Sequence, residues 1–126
     1  MLCLVSALAF HELTTEIPHR LHVALTRGAE TPRIEHPPVQ IYRFSASTHK
    51  AGIETHDVDG VPLRVYSAEK TIADCFKFRR EVGMETTLAA LKAYRRSRRF
   101  DVNKLMRFAR LCRVEKVLKP YVEALL

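Results

Sequence analysis

Apolar positions recur along this chain at two spacings, and each switch between them marks an element. The plainest case is IETHDVDGVPLRVYSAEKTIADCFKF, residues 53–78. Its first half alternates as a half-buried strand does, with Ile53, Thr55 and Asp57 on one parity and Glu54, His56 and Val58 on the other. Asp59-Gly60 follows, a pair that favours the positive φ angles of a type I′ turn. Val61, Leu63 and Val65 then form the return strand, with Arg64 and Tyr66 between and after them. Pro62 has no N–H to give, so this strand needs a free edge there or pairs only beyond it. Ser67 ends the strand and offers its oxygen to the N–H of Glu69 or Lys70 as a helix N-cap. Lys70 stands where a capping box needs Glu or Gln, but Glu69 puts a negative charge in the first turn, where the helix dipole favours it. Ile72, Cys75, Phe76 and Arg79 continue at helical spacing, and Gly83 is the expected stop. A hairpin feeding a capped helix is therefore the unit on which the rest should pack.

The remaining elements follow from the same two periods. Leu4, Val5, Leu8 and Ala9 stripe a first helix over 2–13, which Thr14, Thr15 and Pro18 break. Residues 21–26 and 39–44 alternate as strands, separated by a polar loop that Pro37-Pro38 closes. Residues 45–52 are a short helix or turn. Met84, Leu88 and Leu91 mark a helix to about Arg96. Asp101 is placed to cap the next one, striped by Val102, Leu105, Met106, Ala109 and Cys112. Val114, Val117, Leu118, Tyr121, Val122 and Leu125 carry the last, where Pro120 removes the bond to Lys116 and should kink or split it. A helix, a group of strands and then a run of helices predict an α+β fold in one domain, 1–126. Residues 1–66 supply the first helix and a mixed or antiparallel sheet of about four strands. Residues 67–126 supply a layer of about four helices.

Composition narrows the picture modestly. At 126 residues and 47% hydrophobic, the chain can bury a core without staples. The apolar start MLCLVSALAF lacks a basic leader and is about half the length a bilayer crossing needs, so it reads as a buried helix, with no membrane partner. Cys3, Cys75 and Cys112 are an odd, widely spaced set, expected to be reduced, buried thiols of a cytoplasmic protein. His11, His19, His22, His36, His49 and His56 are scattered. His11-Glu12 is not HExxH, since Thr15 occupies the second His position, so no metal or cofactor is expected. The four glycines stand alone, which excludes P-loop and dinucleotide fingerprints, and no nucleophile elbow is present.

Charge is the informative property. The net +7 is uneven: residues 1–66 sum to −1 and residues 67–126 to +8. Lys92, Arg95, Arg96, Arg98 and Arg99 run off the end of one predicted helix. Lys104, Arg107 and Arg110 lie at three-residue spacing on the polar side of the next. Both apolar stripes lie elsewhere, so these eight side chains should point outward. Cations at a helix C-terminus are favourable for local reasons, and a basic face also suits an acidic protein. Beside these stands the functional reading, contact with DNA phosphates, which gives salt-sensitive affinity without base readout. A metal-dependent nucleic-acid-processing enzyme is the competing reading, resting on Asp57 and Asp59, although the Asp-Gly turn already accounts for Asp59.

Two runs, MLCLVSALAFHELTTEIPHRLHVALTRG and VYSAEKTIADCFKFRREVGMETTLAAL, together with their order, resemble the C-terminal domain of AbiEi-family antitoxins. These are transcriptional regulators of type IV toxin–antitoxin systems, paired with AbiEii nucleotidyltransferase toxins in abortive infection. The resemblance covers nearly the whole chain and carries no catalytic motif. It implies a non-enzymatic, DNA-binding autorepressor that counteracts the toxin without a stable complex. Family members carry an N-terminal winged helix-turn-helix, and this chain begins where that domain would end. By itself it should bind DNA weakly.

Overall fold

A single helix lies at the centre of the molecule. The computed structural model describes residues 1–33 and 35–125, and in it α3 (Ala68–Lys77) buries every residue from Ala68 to Phe76. Before it come α1 (Leu4–Phe10), β1 (Leu21–Thr26), β2 (Val39–Phe44), α2 (Ala46–His49), β3 (Ile53–Val58) and β4 (Val61–Tyr66). After it come α4 (Arg79–Val82), α5 (Met84–Arg96), α6 (Val102–Leu111) and α7 (Glu115–Leu125). The fold is α+β. Helix α3 packs against α1, α5, α6 and α7, and one continuous core runs from Cys3 through Phe44, Tyr66 and Ile72 to Leu118 and Val122.

The strands form two ladders. β3 and β4 are antiparallel across the predicted turn, with Asp59 and Gly60 at φ 52° and 83°. Pro62 pairs with Asp57 within the ladder rather than ending it. This is allowed because alternation turns the nitrogen of Pro62 away from β3, as it turns the Arg64 carbonyl toward Leu2. β1 and β2 run parallel, in register from Leu21 opposite Val39 to Thr26 opposite Phe44.

The first residues join the ladders. Leu2 lies between β1 and β4: its N–H donates to Arg64 O at 3.1 Å, and its carbonyl accepts from Tyr66 N–H at 3.3 Å. Met1 O accepts from Ala24 N–H at 2.8 Å, and Cys3 N–H donates to His22 O at 2.9 Å. Leu2 is therefore a sheet residue, not the first residue of the helix, which starts at Leu4.

The central helix is also shorter than its periodicity suggests. Ser67 caps it as expected, its Oγ accepting from Lys70 N–H at 3.2 Å. It stops at Phe78 rather than at Gly83, because the Phe78 ring packs back on Phe44 and Tyr42 with centroids 5.5 and 5.4 Å away. The single turn α4 intervenes, and Gly83 at φ 97° separates it from α5. Pro120 lies within α7, which continues as one helix rather than two.

Close approach is tightest at Gly52. A Cβ there would stand 2.7 Å from Lys70 Cβ and 3.0 Å from a Phe108 ring carbon. Its φ of 75° is also one that other residues adopt only at a cost. Gly52 O accepts from Ser67 N–H at 2.7 Å, so this glycine lets the β3 entry lie directly against the start of α3.

Candidate nucleic-acid interface

The eight predicted basic residues fall on α5, α6 and the link between them, but they are not equivalent. Lys92, Arg96, Arg98, Arg99 and Arg107 are exposed. None of them belongs to the ion pairs formed among the described residues. The other three are engaged by neighbours, although Arg110 still points outward as expected. Lys104 Nζ lies 3.3 Å from Glu69 Oε1, its side chain 39% exposed against 6% for Glu69. Arg110 reaches Glu115 at 3.3 Å. Arg95 is half-buried, its guanidinium 5.0 Å from the Phe100 ring centroid and its Nε donating to Leu125 O at 3.3 Å. The amphipathic stripes fix which side each residue takes, but not whether a long side chain folds back on a neighbour.

The link that carries Arg98 and Arg99 is anchored from inside. Tyr94, buried on α5, donates its hydroxyl to Glu69 Oε2 at 2.6 Å and accepts from Asp101 N–H at 2.9 Å. Burial and the bond to Glu69 push its phenol above the ordinary range. Asp101 in turn caps α6, accepting from Lys104 N–H at 3.1 Å. One buried carboxylate on α3 therefore ties down the end of α5, the link and the start of α6. Tyr94 was not singled out from the sequence; its position three residues after Leu91 on the apolar stripe is the signal that would have found it as a core aromatic in need of a polar partner. Glu69 was legible only as a first-turn acid.

Two of the free arginines sit beside acidic neighbours without pairing. Arg96 borders a 540 Å³ groove that also presents Glu12, Glu16 and Glu85. Arg99 shares a 330 Å³ hollow with Glu54, Glu69 and Asp101. Acidic neighbours thus interrupt the basic face at Arg96 and Arg99, while Lys92, Arg98 and Arg107 line neither hollow.

A second group of charges is wholly internal. Lys70 Nζ lies 2.7 Å from Asp74 Oδ2, both side chains being buried. The ammonium also stands over the Tyr66 ring at 3.7 Å, and Cys112 Sγ donates to Asp74 Oδ1 at 3.4 Å. Burial raises the Asp74 carboxyl to about 6, with Lys70 and the Cys112 bond holding it back. Burial likewise pushes the Cys112 thiol up to about 12 and raises Cys3 and Cys75. All three cysteines are unpaired. These groups reach no solvent, so their work is structural.

Several histidines serve the fold as well. His11 Nε2 bonds to Tyr66 O at 2.7 Å, His49 Nε2 to Ala24 O at 3.2 Å, and His56 Nε2 to Glu54 at 2.8 Å. Asp57 and Asp59 lie at the exposed end of the β3–β4 hairpin. Among the described residues no three His, Cys, Asp or Glu side chains gather as metal ligands, and no helix is long and apolar enough to cross a membrane. Neither a family model nor a curated protein matches the chain.

Proposed function

We propose that this chain is a non-enzymatic regulatory module similar to the C-terminal domain of AbiEi-family antitoxins. It counteracts a nucleotidyltransferase toxin in the cytoplasm and contributes phosphate contacts to DNA. The observation that carries the DNA part is the exposed set Lys92, Arg96, Arg98, Arg99 and Arg107, which belongs to no ion pair among the described residues, while Tyr94 and Glu69 anchor the link between α5 and α6. Exposed cations that no described carboxylate neutralises suit a polyanion, whose phosphates can take their charge. The antitoxin part rests on the resemblance. Its test is growth rescue: co-expression with a nucleotidyltransferase toxin of the AbiEii kind should restore growth, and the two proteins should not co-purify. Continued arrest at matched expression overturns the antitoxin reading.

A further inference from the structure

A second cluster of unpaired positive charge among the described residues lies outside α5 and α6. Arg27 at the end of β1, Arg43 on β2, Lys77 at the end of α3, and Arg79 and Arg80 on α4 line one cleft of 370 Å³, with Glu81 as its only acid. None of the five cations is in an ion pair among the described residues. The C-terminal end of α3 explains part of this, because cations are favourable there. Arg79 Nη1 donates to Phe76 O at 2.8 Å. It does not explain why Arg27 and Arg43 converge on the same cleft from the sheet, against mutual repulsion.

Arg43 is the most constrained of the five. Its Nη1 donates to Thr26 O at 3.2 Å and Ala29 O at 2.7 Å, and its Nη2 to Thr31 Oγ1 at 2.6 Å. These bonds use three of its five protons and fix the plane of the fork. Neutral acceptors hold it, so its charge is not spent on a carboxylate, and Nε and one Nη2 proton remain to donate. Arg79 is held in the same way by a carbonyl. Two guanidinium groups oriented by neutral oxygens, with three more cations at the rim, are what a multiply charged phosphate ligand needs.

We infer that the cleft between the β1–β2 ends and α4 is a phosphate-binding site that takes adjacent phosphoryl groups. They come either from a free polyphosphate, such as a nucleoside triphosphate, or from a nucleic-acid backbone. None of the α5–α6 residues lines this cleft.

Calorimetric titration of the full chain with inorganic tripolyphosphate, and separately with ATP, tests it. The key variant is Lys77→Glu with Arg80→Glu, since both side chains are exposed and hold nothing in place. The control is Lys116→Glu with Lys119→Glu, an equal change in net charge at exposed positions on α7. Tripolyphosphate should bind the native chain and the control alike, and bind the cleft variant about tenfold or more weakly, the scale of losing charge-assisted contacts. A native chain that does not bind, or equal losses in both variants, overturns the site. Competition then names the source. Short duplex DNA that displaces tripolyphosphate, and itself weakens on the cleft variant, identifies backbone phosphates. Duplex that leaves tripolyphosphate in place identifies a free polyphosphate.

Discussion

Helix α3 and the α5–α6 region both carry charged residues at helical spacing, yet they use them in opposite ways. Lys70 and Asp74 are four residues apart in the stretch from Ala68 to Phe76, which has no solvent side, so each must be answered inside the protein. A buried pair of this kind adds little net stability over an apolar pair, but removing one partner leaves an unanswered charge. The arginines of the α5–α6 link lie in water, where surface charge contributes little to folding. The contrast teaches that charge count alone says nothing about role. What separates charge committed to the fold from charge open to a ligand here is whether the rest of the chain surrounds it.

The largest effect should come from breaking the buried pair. Burial holds the Asp74 carboxyl up to about 6, above its ordinary 3.8, so the folded state takes up a proton more readily than the unfolded one. The stability this group supplies is full below about pH 4 and is lost as pH rises through about 6. Lys70→Met removes the cation that restrains this rise, so the loss deepens and moves to higher pH. Urea unfolding should show a small cost at acid pH and about 3–5 kcal/mol near pH 8. Lys70→Met with Asp74→Leu should return to within about 1 kcal/mol of native. A loss independent of pH would contradict this account of the pair.

Gly52→Ala should come next. The new methyl meets the root of the Lys70 side chain and sits on a backbone at positive φ, for a cost of about 2–5 kcal/mol in the same assay. Tyr94→Phe should cost about 1–3 kcal/mol, since it leaves Oε2 of the buried Glu69 without the Tyr94 donor. Its signature is local: amide exchange at Asp101 should accelerate more than exchange within α3. Uniform acceleration would mean that Tyr94 supports the whole core rather than the link. At the bottom of the scale, Arg96, Arg98 and Arg99 changed together to Ala should alter stability by no more than about 0.5 kcal/mol.

Much of the fold was legible because period and punctuation agreed. Strands 21–26 and 39–44, the Asp59-Gly60 turn, the Ser67 and Asp101 caps and the helix from Met84 to Arg96 all lie where alternation, stripe and cap residues put them. The misses share a cause, which is that tertiary contact overrides a local pattern. Leu2 carries a helical stripe residue's hydrophobicity but finds open ladder edges on both sides. Phe78 breaks a helix that its own neighbours would continue, because its ring has two aromatic partners in the sheet. The parallel β1–β2 pairing left no mark in the residues at all. For the candidate surface, the sequence located all eight cations on the right elements. It did not reveal that Lys104, Arg110 and Arg95 are engaged by Glu69, Glu115 and Phe100, because each partner is chosen by packing.

The direct test of the surface is the salt dependence of binding to a short duplex, read by fluorescence anisotropy for the native chain and the Arg96, Arg98 and Arg99 triple alanine variant. Each phosphate contact contributes about 0.9 to the slope of log K against log[salt]. The account predicts weak native binding with a steep slope that falls by about one for each contacting arginine removed. An unchanged slope in a folded variant would contradict it.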